Sequence, residues 1–394
     1  MILAAVLSAW LQYAADGAPQ ARAVVSDAIC PNVVADGVTT AMVERAGKSE
    51  QFPDLVCVAR VPVGARRIRI GERDLPRPAA NPRTIVVLGD TGCRLSPVLA
   101  QSCNDPNEWP FPVSARAITA LHPDLVVHVG DYLYRESACP LLARCAGSPH
   151  GDDAPAWFAD FLTPAAPVFA AAPVLLLRGN HEECARNGAG WFRYLEPHAT
   201  TACSSGTEPY EVALGDLDIV AFDSAAAEDR KADPARAPSI RRQFAAVRAM
   251  AEAPHVPPAG MRAPQFRTLR WFVTHRPPYL NDDERSAMGD ALARFDTVLA
   301  GHIHFFAALN VASMPPLLIN GEGGTKLEPN YSALFPLAAG NLRVQDDVFG
   351  SSHFGFGVYT RTSRGWAVSL REPDGTERAR CTIADRTVRC RAGA

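Results

Sequence analysis

The chain has 394 residues, 47% of them hydrophobic and 21% charged, with a formal net charge of -3. That is enough apolar material for a sizeable core in one large or two ordinary domains, and the near-balanced charge provides no basic face, so nucleic acid is not an expected partner. No run of 18 apolar residues occurs, so no membrane-spanning helix is expected.

Met1 to Ala15 is almost wholly apolar but too short to span a bilayer, and Ala21-Arg22-Ala23 offers a small-x-small cleavage site. Residues 1–23 therefore read as a signal peptide, although the first cation is only Arg22 and a basic n-region is lacking. Residues 24–82 read as an N-terminal segment and linker, with an edge strand at 67–70 and a Pro- and Arg-rich connector from Asp74 to Pro82. The main domain is expected over 83–394.

Within it, Thr84 to Leu88 is a buried strand running into Gly89-Asp90, and Val113 to Leu121 a short helix. Val126 to Val129 is a strand running into Gly130-Asp131-Tyr132-Leu133-Tyr134. The Cys/Gly/Pro-rich stretch from Ser137 to Pro155 is longer than a connector needs, and it is expected to set the width of a binding pocket. A helix is predicted over Ala156 to Ala171. Strands follow at Val174 to Leu177, ending in Gly179-Asn180-His181-Glu182, and at Asp218 to Phe222. Next come a helix at Ile240 to Ala253, a strand at Leu269 to Val273 ending in Thr274-His275, and a helix at Ala287 to Phe295. A strand at Thr297 to Ala300 ends in Gly301-His302-Ile303-His304. Three further strands (Gly355 to Tyr359, Trp366 to Leu370, Arg378 to Ile383) close the chain, with a turn at Pro373-Asp374-Gly375-Thr376. Alternating strands and helices followed by a β-rich end imply an α/β (α+β layered) architecture.

The ten cysteines fall into neighbouring couples. Pairing in sequence order (30–57, 93–103, 139–145, 184–203, 381–390) would close five short loops, but the sequence leaves connectivity open. No Cys-x-x-Cys spacing occurs, so disulfides in an oxidising compartment are the natural use, and a secreted or periplasmic location is expected.

Five strand ends share one grammar: an apolar run, a small residue or turn, then a side chain able to bind metal. In open α/β sheets, ligands bind at the C-terminal ends of strands. Alternate side chains of a strand end share a face, which suits His302 and His304 to one centre. Oxygen donors (Asp90, Asp131, Tyr134, the Asn180 amide) mix with imidazoles (His275, His302, His304), a set suited to Fe(III), Zn(II), Mn(II) or Fe(II) rather than calcium or copper. Seven side chains are too many for one ion but fit two that share a carboxylate.

These five blocks, in this order, resemble the calcineurin-like metallophosphoesterases and, more narrowly, the purple acid phosphatases. That branch carries Asp-x-Gly, Gly-Asp-x-x-Tyr, Gly-Asn-His-(Glu/Asp), Val-x-x-His and Gly-His-x-His. Four of the five match in full, and the fourth in order has Phe272 in place of Val. Most metallophosphoesterases begin with Asp-x-His; here Gly92 stands at the histidine position, and Tyr134 supplies the missing ligand. The resemblance implies a two-sheet β-sandwich flanked by helices, with the metals at strand ends along one edge. It implies a first metal, Fe(III), on Asp90, Tyr134 and His304, and a second, Zn(II), Fe(II) or Mn(II), on Asn180, His275 and His302, with Asp131 as the bridge. It implies in-line attack of metal-bound hydroxide on the phosphorus of a small phosphate ester, with His181 binding phosphate and protonating the leaving group. The alternative for His181 is an orienting role beside Asn180.

A phosphomonoester is the expected substrate. The alternatives are a phosphodiesterase or nucleotide hydrolase on the same site, and a non-catalytic binding protein on this scaffold, against which all seven intact ligand positions argue. Arg94, Arg135 and Arg276 each follow a ligand closely enough to grip phosphate, or serve the structure instead. Asp223 and His128 read as structural, and His150, His198 and His353 lie in loops. Gly321-Glu322-Gly323-Gly324 lacks the following Lys-Ser/Thr helix of a phosphate-cradling loop.

Overall fold

A computed structural model describes residues 5–140, 143–256, 267–328 and 349–393. Two large mixed sheets face each other. The first has eleven strands, in the order 387–392, 377–384, 365–371, 356–361, 84–88, 125–128, 174–176, 6–13, 19–25, 55–60 and 43–46. The second has seven, in the order 210–214, 217–221, 269–273, 297–300, 317–320, 306–309 and 349–351. The centre of each sheet is parallel: Thr84–Leu88, Leu125–His128 and Val174–Leu176 in the first, and Leu217–Ala221, Leu269–Val273, Thr297–Ala300 and Leu317–Asn320 in the second. These strands read as continuous apolar runs because both faces of each are covered.

Alternation along each strand decides what each face meets. Ile85, Val87, Val127 and Leu175 point between the sheets against Ile219, Trp271, Val273 and Leu299. Val86, Leu88 and Val126 point outward onto Phe111, Ala115 and Ile118 of the helix Phe111–Ala120. The second sheet is covered by the helix Ala237–Glu252, which lays Ile240, Phe244 and Val247 on Val220, Phe272 and Val298. The two-sheet sandwich flanked by helices is therefore observed.

The N-terminal expectations are corrected. Of the stretch read as a leader over 1–23, residues 1–4 lie outside the described residues, and the rest forms strands Val6–Tyr13 and Pro19–Val25. These sit inside the first sheet, where Gln12 pairs with Val174 in parallel and Leu55–Arg60 pairs on the other side. The apolar run of a leader and of a strand buried on both faces look alike in sequence. Residues 24–82 are likewise no mere linker. They complete that sheet and add a four-stranded one, in which Ile68–Ile70 is an inner strand rather than an edge. Arg22 and Arg45 from these strands donate to the carbonyls of Tyr194 and Glu196 and of Phe192, Arg193 and His198, clamping the end of helix Gly188–Tyr194.

Elsewhere, the helix predicted over 156–171 is broken into Ala154–Trp157, a π-helical turn at Phe158–Leu162, and Ala166–Ala171, separated at Pro164. The helix expected at 287–295 lies earlier, at Asp282–Ala287, because the Asn281 side chain caps it by accepting from the Glu284 amide at 2.8 Å. All five disulfides pair in sequence order.

Candidate metal centre

The five strand ends meet at one edge of the sandwich, three from the first sheet and two from the second. Asp90, Asp131 and His302 all have left-handed backbones, with φ of 57°, 63° and 71°. Each costs on the order of 1–2 kcal/mol for a residue with a Cβ, and such conformations collect at functional sites. The turns hold because other groups tie them down. Glu182, fully buried, accepts from the amides of Asp131 (3.1 Å), Tyr132 (2.8 Å), Leu133 (3.3 Å) and Gly179 (3.1 Å). Its place in the motif is thus to fix the turn that carries Asp131. Gly179 must be glycine, since a Cβ there would lie 2.0 Å from Asp131 Oδ1.

Seven side chains converge in two groups around Asp131 Oδ2. In the first, Tyr134 Oη is 2.6 Å from Asp131 Oδ2, 3.1 Å from Asp90 Oδ1 and 3.0 Å from His304 Nε2. In the second, His275 Nε2 is 3.2 Å from Asp131 Oδ2 and 3.0 Å from Asn180 Oδ1, which lies 2.8 Å from His302 Nδ1. The sets Asp90–Asp131–His304 and Asp131–His275–His302 each bring their ligand atoms within 4.8 Å of one another.

Outer contacts orient the imidazoles. His275 Nδ1 donates to the Val129 carbonyl (2.8 Å) and His304 Nδ1 to that of Lys326 (3.0 Å), leaving Nε2 of each facing inward. His302 Nε2 donates to Asp229 (3.0 Å), leaving Nδ1 inward. These are the contacts that fix a metal-binding tautomer. Burial pushes His302 down to about 4 and His304 to about 3, so both lone pairs stay free at neutral pH. Burial, then the neighbouring Asp131, raises Asp90 well above the carboxylate range, and burial with Asp131 and Asp90 raises the Tyr134 phenol. Carboxyl groups, imidazoles, a phenol and an amide oxygen turned toward one another are a ligand set that fits cations.

His181 donates its backbone amide to Asp131 Oδ1 (2.9 Å), and its ring lies 3.7 Å from that of Tyr134. Its Nδ1 is 3.0 Å from Glu136, and Arg186 reaches both ring nitrogens and Glu136. Burial lowers its proton affinity; Asp131 and Glu136 act against that. Glu136, Arg186 and Asp229 were not identified from the sequence, since none belongs to a strand-end motif.

Asp160, on the π-helical turn and fully buried, joins the first two loops. Its Oδ2 accepts from the Tyr134 amide (2.8 Å), and its Oδ1 from the Cys93 amide (2.9 Å) and Arg135 Nε (2.7 Å). Gly92 packs against the same point. A Cβ there would be 2.7 Å from the Tyr132 carbonyl, 2.8 Å from Asp160 Oδ2 and 2.8 Å from the Tyr134 amide. The Gly321–Gly324 stretch backs the Asp90 turn, Gly323 donating to the Gly89 carbonyl (3.0 Å), rather than cradling phosphate. His128 is a core residue bonded to Thr91 and stacked on Tyr132, and Asp223 pairs with Arg178. Both are structural, as expected.

The centre opens into a cavity of about 810 Å³ whose walls include Arg94, Arg186, Asp229, Arg230, Leu280 and Arg285. The Ser137–Pro155 loop, expected to set the pocket width, contributes no described residue to this wall. Asp152 in that loop accepts from the amides of Ala189 and Gly190.

Residues 83–306 match the profile of the calcineurin-like phosphoesterase family. The chain belongs to that family. It is a phosphoric ester hydrolase of a binuclear, metal-dependent family, and the sets Asp90–Asp131–His304 and Asp131–His275–His302 are groups that could each hold a metal ion. Among solved structures, this phosphoesterase is similar to the purple acid phosphatase PPD1 from yellow lupin (Lupinus luteus) seeds, at 13% identity over 95% of this chain and 73% of the lupin chain, with a TM-score of 0.57. It is also similar to PhoD, at 11% identity over 100% of this chain and 93% of that one, with a TM-score of 0.59. At these identities the likeness is one of fold. No curated protein matches the sequence at a significant level.

Proposed function

We propose that this phosphoesterase is a binuclear phosphomonoesterase of the purple acid phosphatase type. The observation that carries the reading is Tyr134 Oη lying among Asp90, Asp131 and His304 while Gly92 leaves no room for the histidine usual at its position. On this reading Asp90, Tyr134 and His304 would hold Fe(III), Asn180, His275 and His302 would hold Zn(II), Fe(II) or Mn(II), and Asp131 would serve both. When bound, the two cations would supply Lewis acidity, easing deprotonation of water and neutralising charge on the phosphoryl group.

The chain's own residues supply the rest. Glu182 and Asp160 hold the loops that aim the ligands. Asp229 and the Val129 and Lys326 carbonyls keep each imidazole turned inward. On this reading His181, which lies at the cavity wall and is held by Glu136 and Arg186, would bond the phosphate and deliver a proton to the leaving oxygen. Five disulfides support a secreted or periplasmic location.

The test is a rate comparison on an aryl phosphate monoester and the matching diester, with metals assayed on the same sample. Two metals per chain, one of them iron, with faster monoester hydrolysis is the expected result. A faster diester would select the phosphodiesterase alternative, and no turnover by a fully loaded sample would select a binding role.

A further inference from the structure

Three arginines closely follow ligand positions, and the fold commits two of them. Arg135 is buried, bonded to Asp160 and stacked on Trp109. Arg276 pairs with Asp229 beside His302. Arg94 is different. It is half-buried, its guanidinium carbon lies 5.6 Å from the centre of the Tyr134 ring, and it lines the cavity with Asp131, His181 and His304. No described carboxylate lies within ion-pair distance of it. Of the other cations lining the cavity, Arg186 and Arg285 are paired with Glu136 and Asp282, and Arg230 is exposed.

The backbone that carries Arg94 is rigidly held. Its amide donates to Gln101 Oε1 (3.1 Å) and its carbonyl accepts from the Gln101 amide (2.7 Å). Gln101 Nε2 donates in turn to the Gly324 carbonyl (2.8 Å), and the Cys93–Cys103 disulfide closes the loop. A half-buried guanidinium over an aromatic face, with its fork unanswered and its backbone fixed, is prepared for an anion with paired oxygens.

Resting on the phosphohydrolase reading above, we propose that Arg94 grips the phosphoryl group of the substrate and selects phosphomonoester dianions over diesters. A monoester offers three non-bridging oxygens and two negative charges, a diester two oxygens and one charge. A fixed extra fork therefore adds more to the first than to the second.

The experiment uses the full chain loaded with metal, as wild type, R94A and R94K. It measures kcat and KM on p-nitrophenyl phosphate and bis(p-nitrophenyl) phosphate, and binding of inorganic phosphate by the thermal shift it produces. In R94A the monoester KM and the phosphate dissociation constant should each rise roughly tenfold to a hundredfold, the loss of a charge-assisted fork. The diester KM should stay within about twofold, metal content should be unchanged, and R94K should recover part of the loss. Unchanged phosphate binding in R94A, or an equal loss for both esters, overturns the proposal. If loaded wild type hydrolyses neither ester, the functional reading fails instead, and phosphate binding alone still decides whether Arg94 holds the anion.

Discussion

A Cβ on Gly92 would sit 2.8 Å from the backbone nitrogen of Tyr134. The two positions are thus one steric unit. The loop that brings the phenol to Asp90 and His304 occupies the volume that a side chain at 92 would need. Gly92→Ala should therefore displace the Tyr134 loop and destabilise the protein by about 1–3 kcal/mol, as overpacking does. Thermal unfolding measures that cost. On the proposed reading, with Fe(III) at the tyrosine site, the tyrosinate absorption band should be lost in Gly92→Ala and in Tyr134→Phe alike. A band that persists in Tyr134→Phe would remove the phenol from the centre.

Asp160 is the anchor behind that unit. It is fully buried and answers two amides and Arg135. Asp160→Asn keeps the volume but leaves the Arg135 cation buried without its partner, a change worth roughly 3–5 kcal/mol. Denaturant unfolding of the metal-free chain should show it. With Fe(III) at the tyrosine site as proposed, the tyrosinate band should shift or weaken, whereas a purely structural role would lower stability and leave the band in place.

Deleting residues 1–25 should abolish folding rather than release a mature form. The hairpin is the bridge between the strand Val174–Leu176 and the strand Leu55–Arg60. Its Arg22 is buried against the carbonyls of Tyr194 and Glu196. Circular dichroism and a melting curve on the truncated chain provide the check; a cooperative transition near that of the full chain would refute the role given to the hairpin.

His198, paired with Glu196, gives a pH signature of its own. Burial lowers its proton affinity, but the Glu196 hydrogen bond and charge outweigh this, and its pKa is raised above the usual 6.5. A raised histidine contributes stability that is fully present below the unfolded pKa and is lost as pH rises through the folded one. The stability difference between wild type and His198→Gln should therefore be largest near pH 5.5 and shrink toward pH 9. A difference that is flat or grows with pH would show that the Glu196–His198 pair does not act as a charged pair.

What was legible in the sequence was whatever the backbone's own periodicity carries. Apolar runs bounded by Gly-Asp, Gly-Asn-His and Gly-His-x-His located the central strands and placed all seven metal-competent side chains, because a strand's end and its following turn lie in one short segment. Cysteine order likewise matched the pairing, since each partner is near its mate along the chain. The tertiary structure alone decided the rest. That the apolar stretch Val6–Tyr13 is a strand depends in part on a partner strand more than 150 residues away. Which arginine faced the cavity depended on Asp160 and Asp229, both distant in sequence from the arginines they bind. Glycine at position 92 reads as a missing ligand in one dimension; in three it is also the space the Tyr134 loop fills. Local sequence encodes turns and faces, but an ion pair or an excluded volume belongs to two segments at once and exists only after they have packed.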